Sequence, residues 1–477
     1  MVGHIDTHIE PYRLSRGERS VLAAIQGHFS GPIIPSLLPV VQGNDVWRHF
    51  AAASLAEQRP KVLVFTCGKV PPELAFGITG PGFAFSVTAR GLAGKIAHLA
   101  SANYAVEHLK GEDGKPSVKV VFVIAHKCSS DVQDTMPCRA HVGTMPDGEV
   151  AVLHGLQKSS AHWLEGLQLI DIPNIPGRAE VPHGDWLHAR ASMKQIVEYS
   201  PPIREFTQSG KLIVVQAFYD NDTGQVTISS VLASKDQDKA VPADELTAIA
   251  TGRYAGEVEK LHPVLFELEA LMAGNKHFVR SSFRPAVTTD LVFLSCSDSR
   301  TSPGIVISGP NGMFEVIRNA GLMVNGAVIR SLTIAVEDAL ADKRARGLPE
   351  EVIVVPLGHL GCGAAKAALN RILDGGLDDS DSTNLSAPII AKLTPRFQEY
   401  LETHPNYRET DPLLAEAATH NAVGAGFELL RGRGKFARRL RELMRQGKLQ
   451  IIPGVYRLTD GMLQFLRPIP TPGEEEE

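Results

Sequence analysis

The sequence predicts an α/β fold in two units, each a mostly parallel sheet covered by helices. Three observations predict it. Short apolar, β-branched runs at 61–65, 120–125, 212–215, 291–295 and 352–357 have the length and composition of buried strands. Helical segments alternate with them, and that order gives parallel strands with helices on the faces. Several runs also stop abruptly at cysteine, histidine or aspartate, at the carboxyl ends of strands, where open α/β sheets place their sites.

The chain has 477 residues, long enough for two or three domains of ordinary size. Hydrophobic content of 43% with 21% charged residues is that of a soluble globular protein. A net charge of -5 gives no electrostatic reason to expect nucleic acid as a partner. Five cysteines, few and odd in number, argue for reduced thiols in a cytoplasmic compartment rather than a disulfide framework. The first thirty residues contain no apolar core of a signal peptide, and no uninterrupted apolar run is long enough to span a bilayer. No G-x-G-x-x-G follows a predicted strand, which disfavours a nucleotide-binding enzyme.

The chemistry concentrates in two stretches, LVFLSCSDSR at 291–300 and VIVVPLGHLGCGAA at 352–365. Cys296, Asp298 and Arg300 alternate, so in extended chain their side chains leave on one side. His359 and Cys362 are three apart where a strand should turn into a helix, a spacing that puts both on one face. Two thiolates and one imidazole suit Zn2+, and three protein ligands leave a fourth position for water.

The ordered set C-S-D-S-R, Arg318-Asn319-Ala320-Gly321 and G-H-L-G-C-G resembles the β-class carbonic anhydrases. Gly274-Asn275-Lys276-His277-Phe278-Val279 resembles that family's opening helix, and 447–461 its closing strand and turn. The resemblance covers about two hundred residues and implies zinc held by Cys296, His359 and Cys362. Earlier segments resemble the same pattern in the same order: the strand ending at Cys67, the helix around 102–109, the strand ending at His126 and Cys128, and the Thr223-Gly224 turn. The chain therefore reads as an internal duplication, two tandem β-carbonic-anhydrase-like units paired as a pseudo-dimer. Its divisions are an N-terminal arm at 1–45, a degenerate unit at 46–233, a linker at 234–244, a zinc-bearing unit at 245–470 and an acidic tail at 471–477. Within the arm a helix is expected over Ser15–His28, and His4 and His8 read as solvated. A polar insertion at 374–386 reads as a surface loop, and a further insertion at 137–184, rich in Pro, Gly and His, has no functional account.

The first unit has Cys67-Gly68-Lys69 where the second has C-S-D-S-R, and lacks the aspartate and the arginine. Its His126 and Cys128 are only two apart, a poorer chelating spacing, so a second metal on Cys67, His126 and Cys128 stays open and catalysis there is not expected. In the family, the partner subunit supplies part of each active-site wall. By that resemblance Gln58, Phe85 and Tyr104 of the first unit are the donated wall, where the second unit has Val287, Phe314 and Ile334. The alternative is that Phe85 and Tyr104 are core residues. One composite site would result, with metal from one unit and wall from the other.

The resemblance implies reversible hydration of carbon dioxide to bicarbonate and a proton by zinc-bound hydroxide. Asp298 would orient the nucleophile and Arg300 would hold Asp298 by a bidentate, charge-assisted pair. The amide near Gly363, at a helix start, would contact bicarbonate. Alternatives are a hydrolase of carbonyl sulfide or carbon disulfide, and a silent bicarbonate-binding or assembly protein that keeps zinc for folding. A homo-oligomer of pseudo-dimers is compatible with the sequence.

Overall fold

A computed structural model of the protein describes residues 27–31, 33–51, 59–70, 72–76, 83–88, 96–111, 116–126, 164–173, 183–281, 289–307, 313–373, 387–405, 407 and 411–472. The expected helix at 15–28 falls almost wholly outside these, as do His4, His8, Gln58, Cys128, Val287 and the 374–386 insertion.

Twelve strands form one sheet among the described residues. In chain order they are β1 (Val62–Thr66), β2 (Ala84–Thr88), β3 (Val120–His126), β4 (Leu167–Asp171), β5 (Ile213–Tyr219), β6 (Val226–Ser234), β7 (Leu291–Cys296), β8 (Phe314–Asn319), β9 (Val352–His359), β10 (Leu449–Ile451), β11 (Gly454–Tyr456) and β12 (Leu463–Phe465). The order across the sheet is β12-β11-β9-β7-β8-β2-β1-β3-β5-β6-β4, with β10 also on β9. The second unit's run β8-β7-β9-β11-β12 thus has the order of the first unit's β2-β1-β3-β5-β6. In both, the central strands are parallel and the last is antiparallel to its neighbour. The registers correspond too, since His126 pairs with Tyr219 as His359 pairs with Tyr456. The runs meet at a single antiparallel pair, Thr88 with Arg318. Strand β4, in the 137–184 insertion, was not expected from the sequence, and it lies on β6 at the sheet edge.

Alternation along the strands sends Val62, Val64, Leu291 and Phe293 to one face and Leu63, Phe65, Val292, Leu294 and Cys296 to the other. The first face is one continuous core running under both units, whereas the second is divided into a separate core for each. Two helices that exchange partners build the continuous face. The helix Leu38–Ala51, from the first unit, packs beneath the second, and Pro263–Ser281, from the second, packs beneath the first.

An asparagine near the middle of each helix locks the exchange. Asn44 Nδ2 donates to Val306 O (2.8 Å) and Gly461 O (3.0 Å), and its Oδ1 accepts from Leu463 N (2.9 Å). Asn275 Nδ2 donates to Ala75 O and Gly224 O, and its Oδ1 accepts from Val226 N (2.9 Å). The approach requires glycine at 43, because a Cβ there would stand 1.7 Å from Ile307 O. The boundary expected at 45/46 therefore cuts through a continuous helix. Pro35 and Gly43 look like breakers in sequence, but the first precedes the helix and the second serves the crossing. Upstream, Phe29 bridges to Phe465 and extends this contact to the edge of the second unit. No described helix is long and apolar enough to cross a membrane.

Candidate metal centre

The buried strand β7 ends at Cys296 because Ser297 to Thr301 turn back on themselves. Thr301 N and Thr301 Oγ1 both donate to Asp298 O at 3.0 Å, closing a tight turn. Strand β9 ends at His359, and Cys362 stands just before the helix Gly363–Leu373. The three ligand atoms lie within 4.8 Å of one another and all three residues are buried. This is the one such group of metal-binding side chains found among the described residues.

The two sulfurs are 3.9 Å apart and share a proton. The hydrogen bond from Cys362 holds the Cys296 thiol well below its ordinary range, and the same bond, with burial, pushes Cys362 well above it. Burial works against a charged His359, but the neighbouring Cys296 thiolate outweighs it and raises the imidazole pKa. His359 Nδ1 donates to Leu360 O at 2.9 Å, which leaves Nε2 as the nitrogen facing the sulfurs. That Nε2 is buried and makes no hydrogen bond. A buried polar atom without a partner costs free energy unless something meets it. A divalent cation bound by both thiolates and by Nε2 would meet it, and this donor set is one zinc prefers.

Asp298 stands beside the group with Oδ2 3.9 Å from His359 Nε2. Arg300 grips its carboxylate at both ends: Nε to Oδ1 at 3.0 Å, Nη2 to Oδ2 at 2.7 Å, with the Arg300 amide also on Oδ1 at 2.9 Å. Burial pushes the Asp298 carboxyl up, but the Arg300 bonds prevail and hold it below the usual range, so it is a carboxylate at neutral pH. Behind Cys296, Gly321 N donates to the sulfur at 3.4 Å. Gly321 (φ 70°) and Leu322 (φ 58°) are both left-handed, an uncommon conformation for leucine. Asn421 donates to Gly321 O at 3.3 Å and helps hold this turn.

A helix earlier in the chain also approaches this group. The helix Ile96–His108 leans across the seam, with Ala100 in the second unit's core and Tyr104 packed against the cores of both units. Tyr104 Oη lies so close to Gly363 that a Cβ on that glycine would stand 2.7 Å from it. Burial raises the Tyr104 pKa to about 12, and the negative charge of Cys362, Cys296 and Asp298 adds to the rise. Ser101, one turn earlier, accepts from Ala320 N at 3.0 Å.

Phe85 belongs to the first unit's own core with Leu63 and Phe65, which is the core reading of that residue. The register also sets Ala84, not Phe85, at the position of Phe314, since Ala84 pairs with Val62 as Phe314 pairs with Leu291. Ile334 is buried in the second unit. In the first unit Cys67 is buried after β1, and His126 is buried with Nδ1 accepting from Asn221 Nδ2 at 3.1 Å.

Sequence reasoning missed Glu73. Its carboxylate crosses the seam to Arg318, the arginine of the R-N-A-G motif, and both are buried. The available signal was one carboxylate in the short segment Pro72–Ala75, aligned with the uncharged Pro303–Val306.

Residues 291–463 match the family model described as carbonic anhydrase. A carbonic anhydrase of Mycolicibacterium smegmatis is 25% identical over 188 residues, 34% of this chain and 84% of that protein. Carbonic anhydrase 2 of Mycobacterium tuberculosis is 31% identical over 122 residues, 23% of this chain and 54% of that protein. A solved Coccomyxa β-carbonic anhydrase, in complex with acetazolamide, is a distant likeness with 18% identity and a TM-score of 0.31, covering 43% of this chain and 82% of its own. Residues 291–463 are thus similar to carbonic anhydrases in sequence.

Proposed function

We propose that the protein reversibly hydrates carbon dioxide to bicarbonate and a proton, at one composite zinc site per chain. The observation that carries this is the buried, unpartnered His359 Nε2 facing two sulfurs, with an arginine-clamped carboxylate beside it. Cys296, His359 and Cys362 would hold Zn2+, and the metal when bound would lower the pKa of a water toward about 7, as in the best-known case. Two thiolates neutralise the ion's charge, so the effect is weaker than with three imidazoles.

The chain's own groups do the rest. Asp298, ionised at neutral pH, accepts a hydrogen bond from the attacking oxygen and aims its lone pair at the substrate carbon. Arg300 spends both ends of its fork on Asp298, and so keeps the carboxylate turned toward this task and off the metal. Tyr104 stays protonated across the working range and presents a donor beside Gly363, where bicarbonate would form. The amide at Gly363, at the start of its helix, suits an anion.

The chain reads as a fused pseudo-dimer. Matching strand orders, exchanged helices with equivalent asparagines, and Tyr104 over the second unit's site support this reading. The first unit, without an equivalent of Asp298 and Arg300, is a wall and scaffold rather than a second active site. Zinc per chain, measured on a preparation assayed for carbon dioxide hydration, tests the proposal. One zinc and hydration activity are expected, both abolished in His359→Ala and neither altered in Cys67→Ser. Two zincs, or an active His359→Ala protein, would overturn it.

A further inference from the structure

The seam between the units carries one buried ion pair whose two members come from different units. Arg318 is 1% exposed and Glu73 is 2% exposed, so water cannot stand in for either partner. Arg318 Nη1 donates to Glu73 Oε1, which also accepts from Ser86 Oγ at 3.0 Å. The guanidinium has two other engagements: Nε donates to Cys296 O at 2.9 Å and Nη2 donates to Asp298 O at 2.8 Å. Those carbonyls bracket Ser297. One belongs to a residue of the metal-binding group, the other to the clamped carboxylate. A single planar fork therefore bonds to the backbone on both sides of Ser297.

The symmetric counterpart of this pair has been dismantled. Arg318 pairs in register with Thr88, so a symmetric seam would bring two guanidiniums together. Glu73 sits second in the segment Pro72–Ala75, and the corresponding place in Pro303–Val306 is Gly304. Each unit has kept one member and lost the other, and the arginine kept is the one that touches the loop with the metal-binding cysteine.

We propose that Glu73 is a positioning residue for the second unit's site: its carboxylate anchors Arg318, and Arg318 sets the geometry of Cys296 and Asp298. This rests on the proposed function only for its activity readout. With the charge removed, the guanidinium is left buried among neutral acceptors without this counter-ion, and it is expected to shift and take the Cys296 and Asp298 carbonyls with it.

The test uses the full chain, as zinc protein and as cobalt(II)-substituted protein. Glu73→Gln is expected to retain metal, to lower kcat/KM for carbon dioxide hydration at least tenfold, and to shift the cobalt absorption bands. A second variant, Glu73→Met with Arg318→Met, separates positioning from mere joining of the units. Apolar replacement of a buried ion pair commonly preserves stability, so this protein should melt near the wild type yet stay slow, with a shifted cobalt spectrum. Should Glu73→Gln fail to fold, the double variant decides alone. Wild-type activity and an unchanged cobalt spectrum in Glu73→Gln would overturn the proposal. So would a double variant that regains stability and activity together. If the wild type itself hydrates no carbon dioxide, the functional reading fails, while the cobalt spectrum still reports whether Glu73 shapes the loop.

Discussion

His359 and His126 stand at the ends of corresponding strands, each opposite a tyrosine, Tyr456 and Tyr219. Their rings are committed differently. His359 donates from Nδ1 to Leu360 O and keeps a bare Nε2 toward two sulfurs. His126 is engaged at Nδ1 by the Asn221 side-chain amide at 3.1 Å, the nitrogen that His359 gives to a backbone carbonyl. Asn221 lies two residues after Tyr219, and the same place after Tyr456 holds Leu458. A histidine's presence at a strand end thus says little until the partner of its other nitrogen is known. His359 leaves Nε2 bare toward the sulfurs, whereas the bond described for His126 engages its Nδ1.

The sharpest way to break the comparison is to separate the units. Phe29, Leu37, Val40, Val41 and Trp47 all pack in the core beneath the second unit, and the fragment 245–477 would lose every one. At about 1.5–3 kcal/mol for each buried large side chain, the loss reaches a typical domain's whole stability of about 5–15 kcal/mol. The fragment should be unfolded and inactive, as judged by circular dichroism and hydration assay. A folded, monomeric, fully active fragment would return the first unit to a dispensable appendage.

Within the intact chain, Asp298→Asn and Arg300→Ala should each lower activity roughly 10–100-fold with zinc retained, the range for groups that orient a metal site's chemistry. No variant of the first unit's Cys67 should have a comparable effect. Near-normal turnover in either variant would show that the carboxylate does not orient the nucleophile.

The exchanged helices offer a smaller and symmetric test. Asn44→Ala and Asn275→Ala each strand buried backbone groups, at a cost of about 1–3 kcal/mol. If the units fold as one body, each variant should lower a single melting transition, although Asn44 bonds only to the second unit's backbone and Asn275 mainly to the first's. Two separate transitions, with only one moved by each variant, would mean that the units are independent.

The metal-binding group was legible in the sequence because its chemistry is local. Cys296, Asp298 and Arg300 share one strand end, and His359 and Cys362 share another, so spacing grouped each set and the family resemblance joined the two. The first unit's Cys67 and His126 were equally visible, but the Asn221 bond to His126 was not. Glu73 and Asn44 were invisible as functional groups for a different reason. Their partners lie 245 and more than 260 residues away, and only the seam and the crossed helices bring them near. The reading of 1–45 as an arm failed on the same ground, since Gly43 looks like a breaker until the Ile307 carbonyl that needs it is in place. Phe85, open between wall and core in the sequence, lies in the first unit's core for a simpler reason. One residue of register separates the position of Phe314 from that of Phe85, and in a strand one residue changes the face.

The smallest expected effect belongs to Tyr104, and it probes the composite wall most directly. Tyr104→Phe removes one hydroxyl and leaves the packed ring, so the fold and the metal should be unaffected. A lost hydrogen bond near the reacting groups predicts a fall in kcat/KM of about 2–10-fold, from a net worth of about 0.5–1.5 kcal/mol. A second readout comes from alkaline unfolding. In the folded protein the phenol ionises at about 12, against 10.0 ordinarily, first through burial and then through the negative charge of Cys362, Cys296 and Asp298. The unfolded chain therefore releases this proton first. Its contribution to stability is complete below pH 10 and is lost as the pH rises toward 12. Tyr104→Phe should flatten the fall of melting temperature in that window and leave the neutral range unchanged. The same substitution at an exposed tyrosine, Tyr199, should do neither. An unaltered alkaline slope together with unaltered turnover would mean that the Tyr104 hydroxyl does not face the metal group, and that the first unit contributes no wall there.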